Sequence, residues 1–408
     1  MIQAFRHRYP ALTYRDYQLQ WIGQFVSNAG TQMQVVAINW HLYEITHSPY
    51  VLAILGASRI VPIIAFSLVG GAVVDAHNRK KILYVTQISQ AVLAAVMAWL
   101  TWTHRATPVN LILANVLLVA FYVLDSPARQ ALMPSLVKRE HFGNAVSLNV
   151  IGFNISTVAG PAIAGFLIAA YGVGSAYAVD AVSFLVLLAA LFGIRATGAI
   201  ESGKRQPISL AAIHEGLLFV KSKTLIWSTM LLDFFVTFFG EATVLLPVFA
   251  KDILHGGPQL LGFLYAAPFI GASVMGLIAS HMGKVMHTGK ALAIGIVFYA
   301  VGTIVFGLSK NAALSLAALM VIGAGDGMSA IIRNIIRQLS TPDHIRGRMT
   351  AINMIFYTGG PRLGEVEAGI VAGLLGAPLS VVIGGIGTLI VVTIMFSRIP
   401  ALGSYKDA

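Results

Sequence analysis

Uncharged apolar stretches recur from one end of this chain to the other, for example over residues 82–103, 106–124 and 368–397. About 20 such residues suffice for a helix to cross the apolar core of a bilayer. The runs are continuous, not ten-residue alternations, which excludes a transmembrane β-barrel. With 57% hydrophobic and only 11% charged residues among 408, the chain reads as an all-α membrane protein. It carries no Cys, so disulfides contribute nothing. A cleavable leader is not expected either: the start is basic (FRHR) and polar, which leaves the first span as the insertion signal.

Twelve spans are predicted, centred roughly on residues 30, 62, 92, 117, 157, 184, 238, 270, 299, 322, 359 and 387. An even number places both termini on one side. Arg6, Arg8, Arg15, Arg79, Lys80, Lys81, Lys138, Arg139, Arg195, Lys204, Arg205, Lys221, Lys223, Lys284, Lys290, Arg346, Arg348 and Arg398 fall on that side, against Arg105, Lys251 and Lys310 opposite. Basic residues stay in the cytoplasm, so both termini are expected there, in the cell (inner) membrane. The net charge of +11 is then explained by topology and anionic lipid, and nucleic acid is not an expected partner.

The polar stretch RATGAIESGKRQP divides the chain into two groups of six spans, giving expected domains 1–195 and 224–408 joined by a linker at 196–223. Within the linker, ISLAAIHEGLLFVKSK has helical apolar spacing and terminal lysines, as an interfacial helix does. Weak self-similarity relates the halves. A shift of 205 brings Gly71 onto Gly276 and Asp75 onto Ser280, a shift of 200 brings Gly160 and Pro161 onto Gly360 and Pro361, and a shift of 201 brings Asp125 onto Asp326. Secondary transporters are built from such repeats, with the substrate site between them at the membrane midplane.

Two matching polar stripes point the same way. In span 1, Gln20, Gln24, Asn28 and Gln32 recur at i, i+4, with Asn39 close to that face; in span 7, Thr229, Asp233, Thr237 and Glu241 do the same. Such faces cannot meet lipid, where each unsatisfied polar group costs several kcal/mol. Either they line a watery cavity or they tie helices together. Aromatic residues near the inferred cavity, including Trp40, Phe234, Phe238, Tyr265, Phe269 and Tyr357, suit a small amphipathic substrate.

Ionisable residues at membrane depth cost at least ~2.5 kcal/mol and call for a partner or a function. Asp233 is the first candidate for proton coupling and Glu241 the second, with Arg59 as countercharge. Glu365 is a further candidate, although Arg362 three residues earlier offers it a permanent partner. Asp180 is expected to be structural. No phosphate-binding loop of the G-x-x-x-x-G-K-[ST] kind is present, the eleven His are scattered, and neither a catalytic constellation nor a metal or cofactor site is expected.

The stretch GGAVVDAHNRKK after span 2 carries Gly71, Asp75, Arg79 and Lys80. It resembles the major facilitator superfamily signature G-x-x-x-D-R-x-G-R-[RK], with Ala76 and Asn78 in place of the usual Arg and Gly. SNAGTQMQ, NWHLYEITHSP and DSPARQALMPSLV resemble the efflux branch that includes enterobactin exporters and macrolide efflux pumps. The resemblance implies a fold of twelve transmembrane helices in two pseudo-symmetric six-helix halves, working as a monomer that exports a drug-like or siderophore-like compound in exchange for protons. It also implies a cytoplasmic gate in which Asp75 meets a helix N-terminus and Arg79 pairs with Asp125, with Arg129 one turn later. In span 5, Gly160, Pro161 and Gly165 resemble the antiporter motif of exporters. Uptake of a nutrient or metal chelate, and a non-transporting receptor or scaffold, are the alternatives.

Overall fold

The computed structural model describes residues 9–197, 210–281 and 288–405. Arg6, Arg8, Lys204, Arg205 and Lys284, and the side chains at Gly71 and Asp75, lie outside the described residues, and with them part of the linker and the expected Asp75 contact.

Twelve described helices have 17 residues or more. They are α1 (Arg15–Thr46), α2 (Pro49–Ala76), α3 (Arg79–Trp102), α4 (Pro108–Leu132), α5 (Phe142–Tyr171), α6 (Val173–Gly193), α7 (Thr224–Gly240), α8 (Pro258–His281), α9 (Thr288–Leu308), α10 (Ala312–Leu339), α11 (Asp343–Leu375) and α12 (Ala377–Arg398). Each coincides with one predicted span. Among the described residues, ten stretches are long and apolar enough to cross a membrane. The helices outside that set are α1, diluted by its glutamines and asparagines, and α11, which carries Arg346, Arg348, Arg362, Glu365 and Glu367. A further helix, Leu210–Ser222, lies in the linker and packs against α11, where Arg348 pairs with Glu215.

Local chemistry sets the boundaries. Asn78 caps α3 by accepting from the amides of Lys80 and Lys81, and Asn311 caps α10 through Ala313 and Leu314. Thr107 and Asn110 form a reciprocal capping box at the start of α4. Gly172 between α5 and α6, and Gly376 between α11 and α12, have φ of 77° and 89°, a region closed to most L-residues. These two glycines are equivalent across the repeat.

The chain separates into two compact units, one from Met1–His47, Ser58–Ser202 and Gly256–Ala266, the other from Ser48–Ala57, Gly203–His255 and Ala267–Ala408. Inside the first, α6 packs on α1 and α3, α5 on α1, and α4 on α3. Inside the second, α12 packs on α7 and α9, α11 on α7, and α10 on α9. The pairings correspond helix for helix, so the repeat that is faint in the sequence is plain in the packing. Large apolar side chains such as Val61, Ile64, Val85, Phe192 and Leu277 stay more than half exposed, as lipid-facing residues do.

Candidate functional site

The first unit holds a cavity of about 520 Å³. Gln20, Gln24 and Asn28 of α1 form one wall; Tyr122, Ser126, Arg129 and Gln130 of α4 form a second; Phe142, Val146, Asn149, Val150 and Phe153 of α5 complete it, with Met133 between α4 and α5. The α1 stripe therefore divides. Its first half lines space. Further along, Gln32 lies against Gly160, and Asn39 is buried with its amide nitrogen donating to Val35 O at 2.8 Å. Different turns of one helix thus border a cavity and pack against a neighbouring helix.

Among the described lining residues, Arg129 at the end of α4 is the one that carries a charge. Its Nη2 pairs with Oδ2 of Asp125, which is wholly buried; Oδ1 of that carboxylate accepts from the Thr86 hydroxyl and the Gln87 amide, both at 2.8 Å. The expected Arg79–Asp125 pair is not formed. The i, i+4 neighbour Arg129 occupies that position, and Arg79 donates to the carbonyl of Ala131 at 3.0 Å instead.

In the second unit, Asp233 of α7 is 1% exposed and faces two guanidinium groups of α10. Arg333 Nη2 lies 3.0 Å from its Oδ1 and Arg337 Nη1 3.6 Å from its Oδ2. The same Arg333 nitrogen is 3.5 Å from Asp326, whose side chain is 46% exposed. Ser329 and Asn334 accept further hydrogen bonds from Arg333 and Arg337. Two acids and two bases leave the cluster neutral. Among the described residues, the cations paired with Asp233 are these arginines of α10, where the sequence pointed to Arg59. Sequence reasoning missed Arg333 and Arg337. The available signal was Asp326, Arg333 and Arg337 at i, i+7 and i+11, one face of one helix.

Glu241 does not continue the α7 stripe. The helix ends at Gly240, and the Glu241 carboxylate accepts from the amide and hydroxyl of Thr243 beyond it. Thr229 and Thr237 donate to carbonyls of their own helix, Ile226 O at 2.8 Å and Asp233 O at 2.7 Å. Phe234 stacks on Phe238 and meets Phe356 edge-on, and Tyr265 is buried. Glu365 receives a hydrogen bond from Arg362 one turn earlier. Among the small residues of α5, Gly160 lies against Ala29 and Gln32 of α1, while Gly165 lies against Pro258 and Gln259 at the start of α8.

An ion cluster of two acids and two arginines crossing two helices, repeated six-helix packing and a cavity with one polar wall belong together in a membrane transporter. A family model described as transmembrane secretion effector, of the major facilitator superfamily, matches residues 8–407. The chain belongs to this family. It is similar to the staphyloferrin A transporter of Staphylococcus aureus, 25% identical over 386 residues that cover 92% of this chain and 91% of the relative. It also resembles the multidrug efflux pump Tap of Mycolicibacterium fortuitum (26% over 360 residues, 86% and 87% covered) and the enterobactin exporter of Citrobacter koseri (23% over 411 residues, 97% and 94% covered). Among solved structures, a bacterial homologue of the lysosomal transporter Spinster superposes with a TM-score of 0.75 at 14% identity over 97% of this chain and 99% of that one. A bacterial homologue of the iron transporter ferroportin gives 0.72 at 15%, over 94% and 98%. These likenesses agree on the major facilitator fold. The chain is a multi-pass membrane transporter of that superfamily and not an enzyme.

Proposed function

We propose that this transporter exports a small amphipathic compound of the drug or siderophore class in exchange for protons, as a monomer with both termini in the cytoplasm. Export is supported by the relatives, which include an efflux pump and a siderophore exporter. The work is divided between halves 1–195 and 224–408, joined through 196–223, which rock in alternating access with Gly71, Asp75 and Arg79 at the cytoplasmic gate. Gln24 and Asn28 contribute to the substrate face.

The observation that carries proton coupling is the Asp233–Arg333–Arg337–Asp326 cluster. A proton taken by Asp233 neutralises one acid and leaves the two buried arginines with only the half-exposed Asp326 as countercharge. An uncompensated buried charge is costly, so at least one arginine must find another acceptor. That requirement links protonation to rearrangement of α7 against α10. Glu241 and Glu365 are weaker carriers, since each is already engaged at a turn or by a neighbour.

The test is retention of a fluorescent amphipathic dye in cells expressing wild type or Asp233→Asn, with and without a protonophore. Lowered retention with wild type, abolished by both the substitution and the protonophore, is the expected result. If Asp233→Asn extrudes dye as wild type does, Asp233 is structural. If wild type leaves dye retention unchanged at saturating expression, the export reading for this class of compound is overturned.

A further inference from the structure

The lining of the cavity in the first unit is asymmetric in a way that selects its occupant. The α1 wall presents the amides of Gln20, Gln24 and Asn28. Gln20 is 3% exposed, its Nε2 reaches only to Gln24 at 3.4 Å, and its Oε1 is buried without a hydrogen-bond partner. Opposite it, Val146, Val150 and Phe153 recur along one face of α5. At the α4 end stands Arg129, and none of the described lining residues is a carboxylate.

Arg129 is tied to Asp125, but Asp125 is also held by Thr86 and Gln87. The acid therefore shares its charge among three donors, while the Arg129 guanidinium, part of the cavity lining, has N–H groups that the pair with Asp125 does not use. A compact anionic group would find charge-assisted hydrogen bonds there; a cation would meet a like charge and no acid.

The volume falls within the roughly 300–1,000 Å³ of ordinary small-molecule sites. The described lining residues lie in the first half of α1, the last part of α4, the first half of α5 and the α4–α5 connection, which is the membrane level that the basic residues assign to the cytoplasm.

We infer that this cavity is a loading site for an amphipathic organic anion. Its carboxylate or comparable acidic group lies on Arg129, its hydrogen-bonding groups lie along Gln20, Gln24 and Asn28, and its apolar face lies on α5. The inference names the substrate charge within the transporter reading and rests on that reading for direction alone. Anionic phospholipid shares the head-group chemistry and is the rival occupant.

One set of probes decides it. Dansylglycine, dansylamide and dansylcadaverine carry the same fluorophore with negative, no and positive charge. Binding is measured on the full-length protein in zwitterionic vesicles by energy transfer from tryptophan. Trp21 adjoins the cavity, bordering Gln24, Asn28 and Phe153, so Trp21→Phe locates the signal. Dansylglycine should bind about tenfold more tightly than dansylcadaverine, the scale of one charge-assisted bond. Trp21→Phe should reduce the transfer while leaving affinity, followed by direct dansyl excitation, unchanged.

Arg129→Gln alone would strand buried Asp125, so the working variant is Asp125→Asn with Arg129→Gln. It should erase the preference for the anion. Equal or tighter binding of dansylcadaverine, or an intact preference in the double variant, overturns the inference. Loss of dansylglycine binding on adding phosphatidylglycerol to the vesicles overturns it too, in favour of a lipid occupant. Cells that fail to export any dye, while the purified protein keeps the anion preference, would refute export and leave the site standing.

Discussion

Asp233 has two arginines within reach, and that geometry governs what its removal would do. Asp233→Asn leaves Arg333 and Arg337 buried with Asp326 as the one remaining acid of the cluster, a net charge of plus one. Breaking a buried ion pair from one side costs ~3–5 kcal/mol. The single variant is therefore expected to lose thermal stability in detergent as well as coupling. Asp233→Asn with Arg337→Gln restores neutrality and should recover most of that stability, while proton-dependent dye efflux stays lost. Recovery of both would mean that the acid never carried the proton. Asp125 provides a parallel case. Asp125→Asn, which breaks a wholly buried pair with Arg129, should lower the melting temperature well beyond Arg79→Gln. Arg79 gives up a hydrogen bond to a carbonyl, worth about 1 kcal/mol. Equal effects would revive the Arg79–Asp125 pairing.

At the scale of helices, the glycines of α5 have a role that spacing alone did not define. A Cβ on Gly165 would stand 2.6 Å from Pro258 O and 3.0 Å from Gln259 Cα, and one on Gly262 would collide with Pro161 O. Backbone meets backbone here, so a large side chain has nowhere to go. Gly165→Leu or Gly262→Leu should abolish efflux, whereas Gly276→Leu, on the same helix as Gly262 with nothing within 4 Å, should be tolerated. Surface expression and dye retention measured together distinguish a jammed transporter from an unfolded one.

The same scale shows what the sequence could and could not reveal. Apolar runs determine ten of the twelve long helices because a bilayer allows little else, while α1 and α11 carry polar or charged residues along with their apolar ones. Periodicity also found Gln20, Gln24 and Asn28. It extended the α7 stripe to Glu241 because i, i+4 spacing persists in the letters, although Gly240 ends the helix one residue earlier. Arg333 and Arg337 escaped notice because they lie near the end of α10 where basic flanking residues are ordinary, and spacing within one helix says nothing of an acid on another.

For the molecule as a whole, orientation is the property on which loading and export direction both depend. The basic residues assign the loops after α4 and before α7 to the cytoplasm, and the loops after α1, α3 and α9 to the opposite side. A chain without Cys lends itself to a direct check. Single cysteines at His47, His104 and Lys310, all exposed, should react with a membrane-impermeant maleimide on intact cells. Cysteines at Lys138, Lys223 and Arg398, also exposed, should react only after permeabilisation. The reverse pattern would place the open cavity at the outer face, where Arg129 and the α1 amides would meet solute arriving from outside. Export by the proposed route would then fail on geometry, whatever the fate of Asp233, and the same lining would serve uptake.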